Sequence, residues 1–138
     1  MNAENASLID AVTIGDVDAA RRAIAAGADV NATYGHGNCC NVLETAARGN
    51  YPATVRLLLD AGANVNPPAG QHRPLYWAIF CGRPESVRML IDAGATVTDD
   101  DRQNAKMFAA ISRASHDGTA ESAAVARECA AIAKQLAD

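Results

Sequence analysis

Four side chains in two separate loops have the chemistry to bind a metal ion. His36, Cys39 and Cys40 lie close together in the sequence, and His72 follows in a later loop. Thiolate sulfur and imidazole nitrogen are ligands that zinc prefers. Adjacent cysteines in a His-x-x-Cys-Cys order depart, however, from the paired spacing of structural zinc sites. The spacing therefore predicts no metal and no other cofactor, and we interpret Cys39 and Cys40 as small residues that pack beneath their loop.

Catalysis requires an activated side chain held by a second and preferably a third residue. His116 and Asp117 are neighbours, but they stand in a predicted turn without an evident nucleophile. The run Asp99-Asp100-Asp101 lacks the spaced ligands and the glycine of a calcium loop, and it indicates a solvated turn that favours a following helix N-terminus. The sequence predicts a protein that is not an enzyme. Metal-dependent or enzymatic activity centred on His36, Cys39 and Cys40 is the alternative.

Aromatic side chains provide a second kind of candidate site. Trp77 is the only tryptophan, and Phe80 lies three residues later, so both should emerge on one helical face with Tyr76 nearby. Aromatic side chains beside an arginine are typical of binding hot spots. We predict that Trp77 and Phe80 are partly exposed and contact a partner. The alternative is that the rings fill space left by small alanines in the core.

Composition restricts the partner and the compartment. The 138 residues suit one domain, and a net charge of -4 without a basic stripe disfavours nucleic acid as a partner. Residues 1–5 do not have the positive start and apolar stretch expected of a signal peptide, and the apolar run 75–81 is too short to cross a membrane. The four cysteines are unevenly spaced, which favours reduced thiols. We expect a cytoplasmic monomer that does not bind membranes.

The elements that must position these residues come from a repeated sequence. Ala-Gly-Ala-Asp-Val-Asn at 26–31 returns as Ala-Gly-Ala-Asn-Val-Asn at 61–66 and as Ala-Gly-Ala-Thr-Val-Thr at 93–98, at intervals of 35 and 32 residues. We call this segment the refrain. Apolar anchors recur with it, each 19 residues before the glycine of its copy, and Met107 continues the series. The complete copies have the anchors Leu8, Leu43 and Leu75. A repeat of this length predicts a solenoid.

Each copy has the pattern of two short helices. In the second copy, Leu43 shares a helical face with two alanines, and Gly49-Asn50 tolerates the backbone of a tight turn. Pro52 suits the first turn of the second helix, and Gly62 suits the left-handed position after its end. A further apolar stripe after about Thr119 predicts a helix at the C-terminus.

These features together resemble the ankyrin-repeat family. The likeness rests on the Leu-x-x-Ala anchors, the 19-residue step and the refrain, and it covers about residues 6 to 114. It implies an all-α ankyrin-repeat solenoid in a single domain. The expected units are three full repeats at about 6–38, 39–70 and 71–102, and a helical C-terminal capping unit at 103–138. The chain departs from the family where Thr-Pro-Leu-His is expected, reading instead Ala-Ser-Leu-Ile, Asn-Val-Leu-Glu and Arg-Pro-Leu-Tyr.

The resemblance also implies where a partner binds. In the ankyrin architecture the inner helices and the finger loops between repeats line a concave groove. Repeat position places these inner-helix residues in that groove: Asp10, Thr13, Thr45, Arg48, Trp77, Phe80, Ala109, Ser112 and Arg113. The first finger loop carries three extra residues and presents Tyr34 and His36 for contacts, although a tolerated insertion without a role is equally open.

The implied function is a non-catalytic interaction module that binds one protein partner through its groove and finger loops. A regulator, or an inhibitor of the immunity type, is the form that the resemblance suggests for a small member of the family. A structural scaffold without a natural ligand is a further alternative, but its repeats would be expected to be more uniform than these. The partner binding site is predicted to include Tyr76 together with the groove residues and the two loop residues.

Overall fold

The computed structural model describes residues 2–114 and residue 134. The helices of this part are α1 (Ala3–Ile14), α2 (Val17–Ala25), α3 (Val42–Arg48), α4 (Pro52–Asp60), α5 (Pro74–Phe80), α6 (Pro84–Asp92) and α7 (Asp99–Ala114). A two-stranded antiparallel hairpin, β1 (Thr33–Tyr34) and β2 (Cys40–Asn41), stands between α2 and α3 and encloses a 3₁₀ turn at His36–Asn38. None of the helices described is long and apolar enough to cross a membrane.

The helices stack in two layers, which confirms the predicted all-α solenoid. Contacts link α1, α3, α5 and α7 into an inner layer, and α2, α4 and α6 into an outer one. The predicted anchors Leu8, Leu43 and Leu75 are buried between the layers among small alanines. Because alanine has almost no side chain, the helices can approach closely around the larger leucine side chains.

The turn between the paired helices has the backbone that the sequence predicts. Asn50 adopts a positive φ of 62°, and Gly15 takes the same left-handed conformation at φ 75°. The ring of Tyr51 packs directly against the Cα atoms of Gly15 and Gly49, so that a Cβ at Gly49 would lie 2.6 Å from the ring. The tyrosine therefore joins the turns of the first two repeats, and only glycine leaves room for it.

Asparagines of the refrain join each repeat to the next. The Asn31 side chain accepts a hydrogen bond from the backbone N–H of Asn64 at 2.8 Å. Asn66 accepts from the N–H of Thr96 at 2.8 Å and donates to the carbonyl oxygen of Gly94 at 3.1 Å. Asn5 makes the equivalent bond to the N–H of Asp29. The refrain thus closes each helix pair and also connects consecutive repeats.

The interfaces between repeats lack the family's Thr-Pro-Leu-His sequence and use other polar groups. Asn41 begins α3 by accepting the N–H of Glu44, and its amide also donates to the carbonyl oxygen of His72 at 2.9 Å. Arg73 bridges to the buried Asp101 through two hydrogen bonds of 3.1 and 2.7 Å, and it donates to the carbonyl oxygen of Thr96. These bonds tie the second repeat to the third and the third to α7.

The fourth copy differs from the prediction in two respects. Helix α7 begins at Asp99, so the predicted boundary between 102 and 103 falls inside a helix, and Met107 is 57% exposed rather than an anchor. Thr98 explains the early start: its hydroxyl accepts the N–H of Asp101, whose carboxylate accepts the N–H of Thr98. Such a reciprocal cap starts a helix at once. Asp101 is consequently buried and not solvated as predicted. The predicted helix after Thr119 lies outside the described residues.

Candidate partner-binding face

Three aromatic side chains of α5 form a cluster at the surface of the inner layer. The rings of Trp77 and Phe80 meet edge to face at 5.4 Å between centroids, and Tyr76 stacks on Phe80 at 6.1 Å. Tyr76 also contacts Trp77 at 5.5 Å. These separations lie in the range of favourable ring pairs. The spacing of 76, 77 and 80 on one short helix brings them together, as the sequence predicts.

Two further residues complete what we call the aromatic patch, defined as Arg48, His72, Tyr76, Trp77 and Phe80. The Arg48 guanidinium lies over the Trp77 ring at 5.9 Å, within the reach of a cation–π contact. The His72 ring lies 5.3 Å from that of Trp77. The tryptophan therefore contacts Arg48 of the preceding repeat as well as His72 of its own.

The exposure of the patch agrees with the prediction. Phe80 is 56% exposed, and Trp77, Tyr76 and Arg48 are half-buried. Since the rings are not enclosed in the core, the alternative that they serve only to fill space between alanines is wrong for Phe80. Their contact with a partner stays a prediction.

A buried carboxylate lies beside the patch. The Glu44 side chain is fully buried in α3, and its Oε1 lies 3.4 Å from Nη1 of Arg48 and 3.6 Å from Nδ1 of His72. Neither separation is a good hydrogen bond, and Oε1 is without a hydrogen-bond partner among the described residues. Arg83 adds a bond of 3.0 Å from Nε to the carbonyl oxygen of Arg48. Glu44 thus lies near both Arg48 and His72, the two groups that contact Trp77 from outside its own helix.

The first finger loop, which carries the three extra residues, forms the hairpin and packs against α3. Tyr34 pairs with Cys40 across the strands, and its hydroxyl bonds to the hydroxyl of Thr45, which donates to the carbonyl oxygen of Asn41. Burial and the negative charge of Glu44 raise the pKa of Tyr34 against the opposing effect of the Thr45 bond, so the phenol stays neutral. The prediction that Thr45 faces a partner is wrong, because Tyr34 covers it and leaves it 6% exposed.

The other predicted groove residues are not brought into the patch. Asp10, Thr13 and His36 are exposed, and among the described residues no hydrogen bond, ion pair or ring contact joins them to it. The Thr13 hydroxyl donates to the carbonyl oxygen of Ile9 in its own helix. The side chains of Ala109, Ser112 and Arg113 lie outside the described part of the chain, as do His116 and Asp117.

Two residues of this face were not predicted as partner-binding or supporting groups. His72 could have been found only by knowing that its loop returns beside the hairpin, where its N–H donates to the carbonyl oxygen of Cys39 at 2.7 Å. Glu44 carried a clearer signal, since it stands three residues into a helix among buried apolar neighbours. A charged residue at such a position needs partners on an adjacent element.

The candidate metal ligands near the hairpin are Cys39, Cys40 and His72, and not the set of His36, Cys39 and Cys40 on which the metal alternative was centred. Sγ of Cys39 and Sγ of Cys40 are 3.9 Å apart, and Sγ of Cys40 lies 3.9 Å from Nδ1 of His72. His36 does not belong to this group of three. Cys39 and Cys40 are free cysteines. Burial, with a smaller effect from the Cys39 thiol, raises the pKa of Cys40, so this thiol is uncharged at neutral pH.

Comparison with known proteins agrees with this architecture. The family model described as ankyrin repeats (3 copies) matches residues 8–101, which is more than half of the chain. No curated protein matches the sequence. The matched range runs from the first anchor, Leu8, to the buried carboxylate Asp101 at the start of α7. The chain belongs to the ankyrin-repeat family, whose members are generally protein–protein interaction modules.

Proposed function

We propose that this protein binds one protein partner through the aromatic patch, and that it acts by that binding alone as a regulator or as an inhibitor of the immunity type. The observation that carries the proposal is the exposed ring of Phe80 on a preorganised base of Trp77, Tyr76 and Arg48. Tryptophan, tyrosine and arginine are the residues most enriched in binding hot spots.

Rigidity of the patch supports the same function. Trp77 contacts Arg48, His72 and two aromatic rings of its own helix, so less side-chain freedom remains to be lost when a partner covers it. Each side chain immobilised on binding costs about 0.5 to 1.5 kcal/mol, and a fixed side chain avoids most of that cost. When a partner buries an apolar side chain against Phe80, little of the free energy gained from that burial is therefore lost to fixing the patch.

An interface on this face must extend beyond the aromatic patch. A standard interface buries roughly 800 Å² on each partner, which is more than five side chains provide. The exposed residues Asp10, Thr13 and His36 are then contacts at the rim, where water still reaches them. Rim contacts contribute less to affinity than a central aromatic cluster.

The test is affinity capture from native cells with matched variants. Trp77→Ala/Phe80→Ala removes the centre of the patch, and Ile14→Ala removes an apolar side chain that is 70% exposed at the end of α1. We expect a specific partner that is retained by wild type and by Ile14→Ala and reduced at least about tenfold by the double variant. Each variant is first shown by circular dichroism to be folded. A partner recovered equally by all three proteins would refute the assignment of the patch.

A further inference from the structure

We propose that Cys39, Cys40 and His72 form a binding site for a thiophilic divalent ion such as Zn²⁺, which joins the first finger loop to the second. The site is distinct from the aromatic patch as a binding surface, although His72 contributes to both. The proposal does not depend on the existence of a protein partner.

The separations of the three ligand atoms suit a single ion. Zinc lies about 2.3 Å from thiolate sulfur and about 2.0 to 2.1 Å from imidazole nitrogen, so a tetrahedral site has edges of about 3.6 to 3.8 Å. The structure has 3.9 Å between the two sulfurs and 3.9 Å between Sγ of Cys40 and Nδ1 of His72. All three ligand atoms lie within 4.8 Å of one another. The two printed edges need to shorten by a few tenths of an ångström, and the edge between Cys39 and His72 by at most about 1 Å, to reach coordinating distance.

The local backbone explains how adjacent cysteines can share an ion. Neighbouring residues in a strand point to opposite faces of the sheet. Cys39, however, has helical dihedrals of φ -83° and ψ -21° directly before the strand that begins at Cys40. This change of conformation interrupts the alternation, and both thiols therefore lie on the same side. The paired spacing that is typical of zinc motifs is not needed here.

His72 is already fixed in place beside the cysteines. Its backbone N–H donates to the carbonyl oxygen of Cys39 at 2.7 Å, and its own carbonyl oxygen accepts from the amide of Asn41 at 2.9 Å. Both loops are thus connected through backbone groups on each side of the histidine. The ion would find its ligands preorganised and would not have to bring two free loops together.

Glu44 is the second, independent observation that points to a cation. Its Oε1 is fully buried, has no hydrogen-bond partner in the described structure, and faces Nδ1 of His72 at 3.6 Å. The charge of this buried carboxylate is offset only by ion-pair contacts of 3.4 Å or longer, and a further cation nearby would compensate it. Arg48, at 3.4 Å, is partly exposed and also contacts Trp77, so it satisfies this charge incompletely.

Coordination has a defined proton balance. Each thiol must lose its proton to solvent when its sulfur binds the ion, and His72 binds as a neutral imidazole. Two thiolates neutralise the charge of Zn²⁺, and water takes the remaining position of the tetrahedron. The three ligands are half-buried, which leaves a path for the ion to enter.

Intrinsic fluorescence offers a direct readout of binding. Trp77 is the only tryptophan of the chain, and its ring lies 5.3 Å from that of His72. We expect Zn²⁺ added to the reduced full-length protein to change the emission of Trp77 and to saturate at one equivalent. Competition with a chromophoric chelator then gives the dissociation constant. Cobalt in place of zinc should show thiolate-to-metal charge-transfer absorption.

Variants of the ligands separate this site from adventitious binding to thiols. Cys40→Ser and His72→Asn should each weaken Zn²⁺ binding at least about 100-fold, and Glu44→Gln about 10-fold to 100-fold. The control is Cys81→Ser/Cys129→Ser, which removes the other two cysteines and should keep wild-type affinity. Cys129 lies outside the described residues. Circular dichroism establishes that every variant is folded.

Two outcomes would overturn the proposal. The first is a wild-type protein that shows no saturable change with micromolar Zn²⁺. The second is binding that survives in Cys40→Ser but disappears in the Cys81→Ser/Cys129→Ser control. Because neither measurement uses a protein partner, failure here would leave the proposed function of the aromatic patch intact.

Discussion

Arg73 links the third repeat to α7 through a carboxylate that has no access to solvent. The guanidinium makes two bonds to Asp101 and a third to the carbonyl oxygen of Thr96. Removing one partner of a buried ion pair costs far more than the pair itself contributes, because the remaining charge loses its compensation. We expect Arg73→Ala to lower the free energy of unfolding by about 3 kcal/mol, measured by urea denaturation.

Arg21 provides the matched control for that prediction. It pairs with Asp18 at 2.9 Å, but both side chains are exposed. Such pairs contribute about 1 kcal/mol or less, so Arg21→Ala should leave the denaturation midpoint almost unchanged. Equal losses in the two variants would mean that Asp101 is not buried as described.

Phe80 should contribute little to stability if it belongs to a binding surface. With 56% of its area exposed, it loses mainly its contacts with Tyr76 and Trp77 on truncation. We expect Phe80→Ala to lower the free energy of unfolding by about 1 kcal/mol or less, against about 2 to 5 kcal/mol for the buried Leu75→Ala. Thermal and urea denaturation measure both. A loss at Phe80 as large as that at Leu75 would place the ring in the core.

Among the elements, the turns of the first two repeats depend on the space that glycine leaves for Tyr51. Gly15→Ala adds a Cβ that collides with this ring and also forces alanine into a positive φ of 75°. Gly62→Ala likewise forces alanine into a positive φ, here 94°, but with open space around the new atom. We expect Gly15→Ala to cost about 1 to 3 kcal/mol more than Gly62→Ala in free energy of unfolding.

A double-mutant cycle distinguishes collision from backbone strain. In a Tyr51→Ala background the ring is absent, so the cost of Gly15→Ala should fall by the collision energy, whereas the cost of Gly62→Ala should stay the same. An unchanged difference would show that Tyr51 does not make the contact.

At this same scale, the sequence predicts the elements well wherever local periodicity determines them. Anchors such as Leu43 and turn residues such as Asn50 occupy the positions that their spacing indicates. The start of α7 was placed too late, although Thr98 and Asp101 have the three-residue spacing of a local helix cap. The burial of Asp101 could not be predicted, because it depends on Arg73, which is 28 residues away in the sequence and leaves no periodic signal.

The candidate site shows the same division between local and distant contacts. Trp77, Phe80 and Tyr76 lie on one helix, and their common face could be predicted from their spacing. The burial of Thr45 could not, since it results from Tyr34 of the hairpin folding over α3. Cys39, Cys40, His36 and His72 are candidate metal ligands by residue type, but which of them meet could not be predicted, because that depends on how two loops return to one place.

The whole molecule is a linear stack in which each repeat contacts its neighbours. Stability in such an array is approximately a sum over repeats and the interfaces between them. The bond from Asn64 to Asn31 crosses the first interface, and the bond from Thr96 to Asn66 crosses the second. Each contributes on the order of 1 kcal/mol.

Weakening one interface should therefore loosen one end of the molecule. We expect Asn31→Ala to accelerate hydrogen exchange of amides in α1 and α2 by about fivefold, with a much smaller effect on α5 and α6. Asn66→Ala is the counterpart and should act mainly on α5 and α6. Hydrogen exchange followed by mass spectrometry measures both patterns. Uniform acceleration in both variants would show that the stack opens as one cooperative unit.

The change from asparagine to threonine at the end of the third refrain also limits how the array can grow. Asn31 and Asn66 each offer a carbonyl oxygen to the copy that follows, whereas Thr98 is engaged with Asp101 at the start of α7. A duplicated copy inserted between the first and second refrains could donate a backbone N–H to Asn31, and its own asparagine could accept the N–H of the next copy. A copy added after Thr98 would meet a helix cap with no such acceptor. Tandem duplication would therefore keep the asparagine link between copies in the interior of this chain and lose it after position 98.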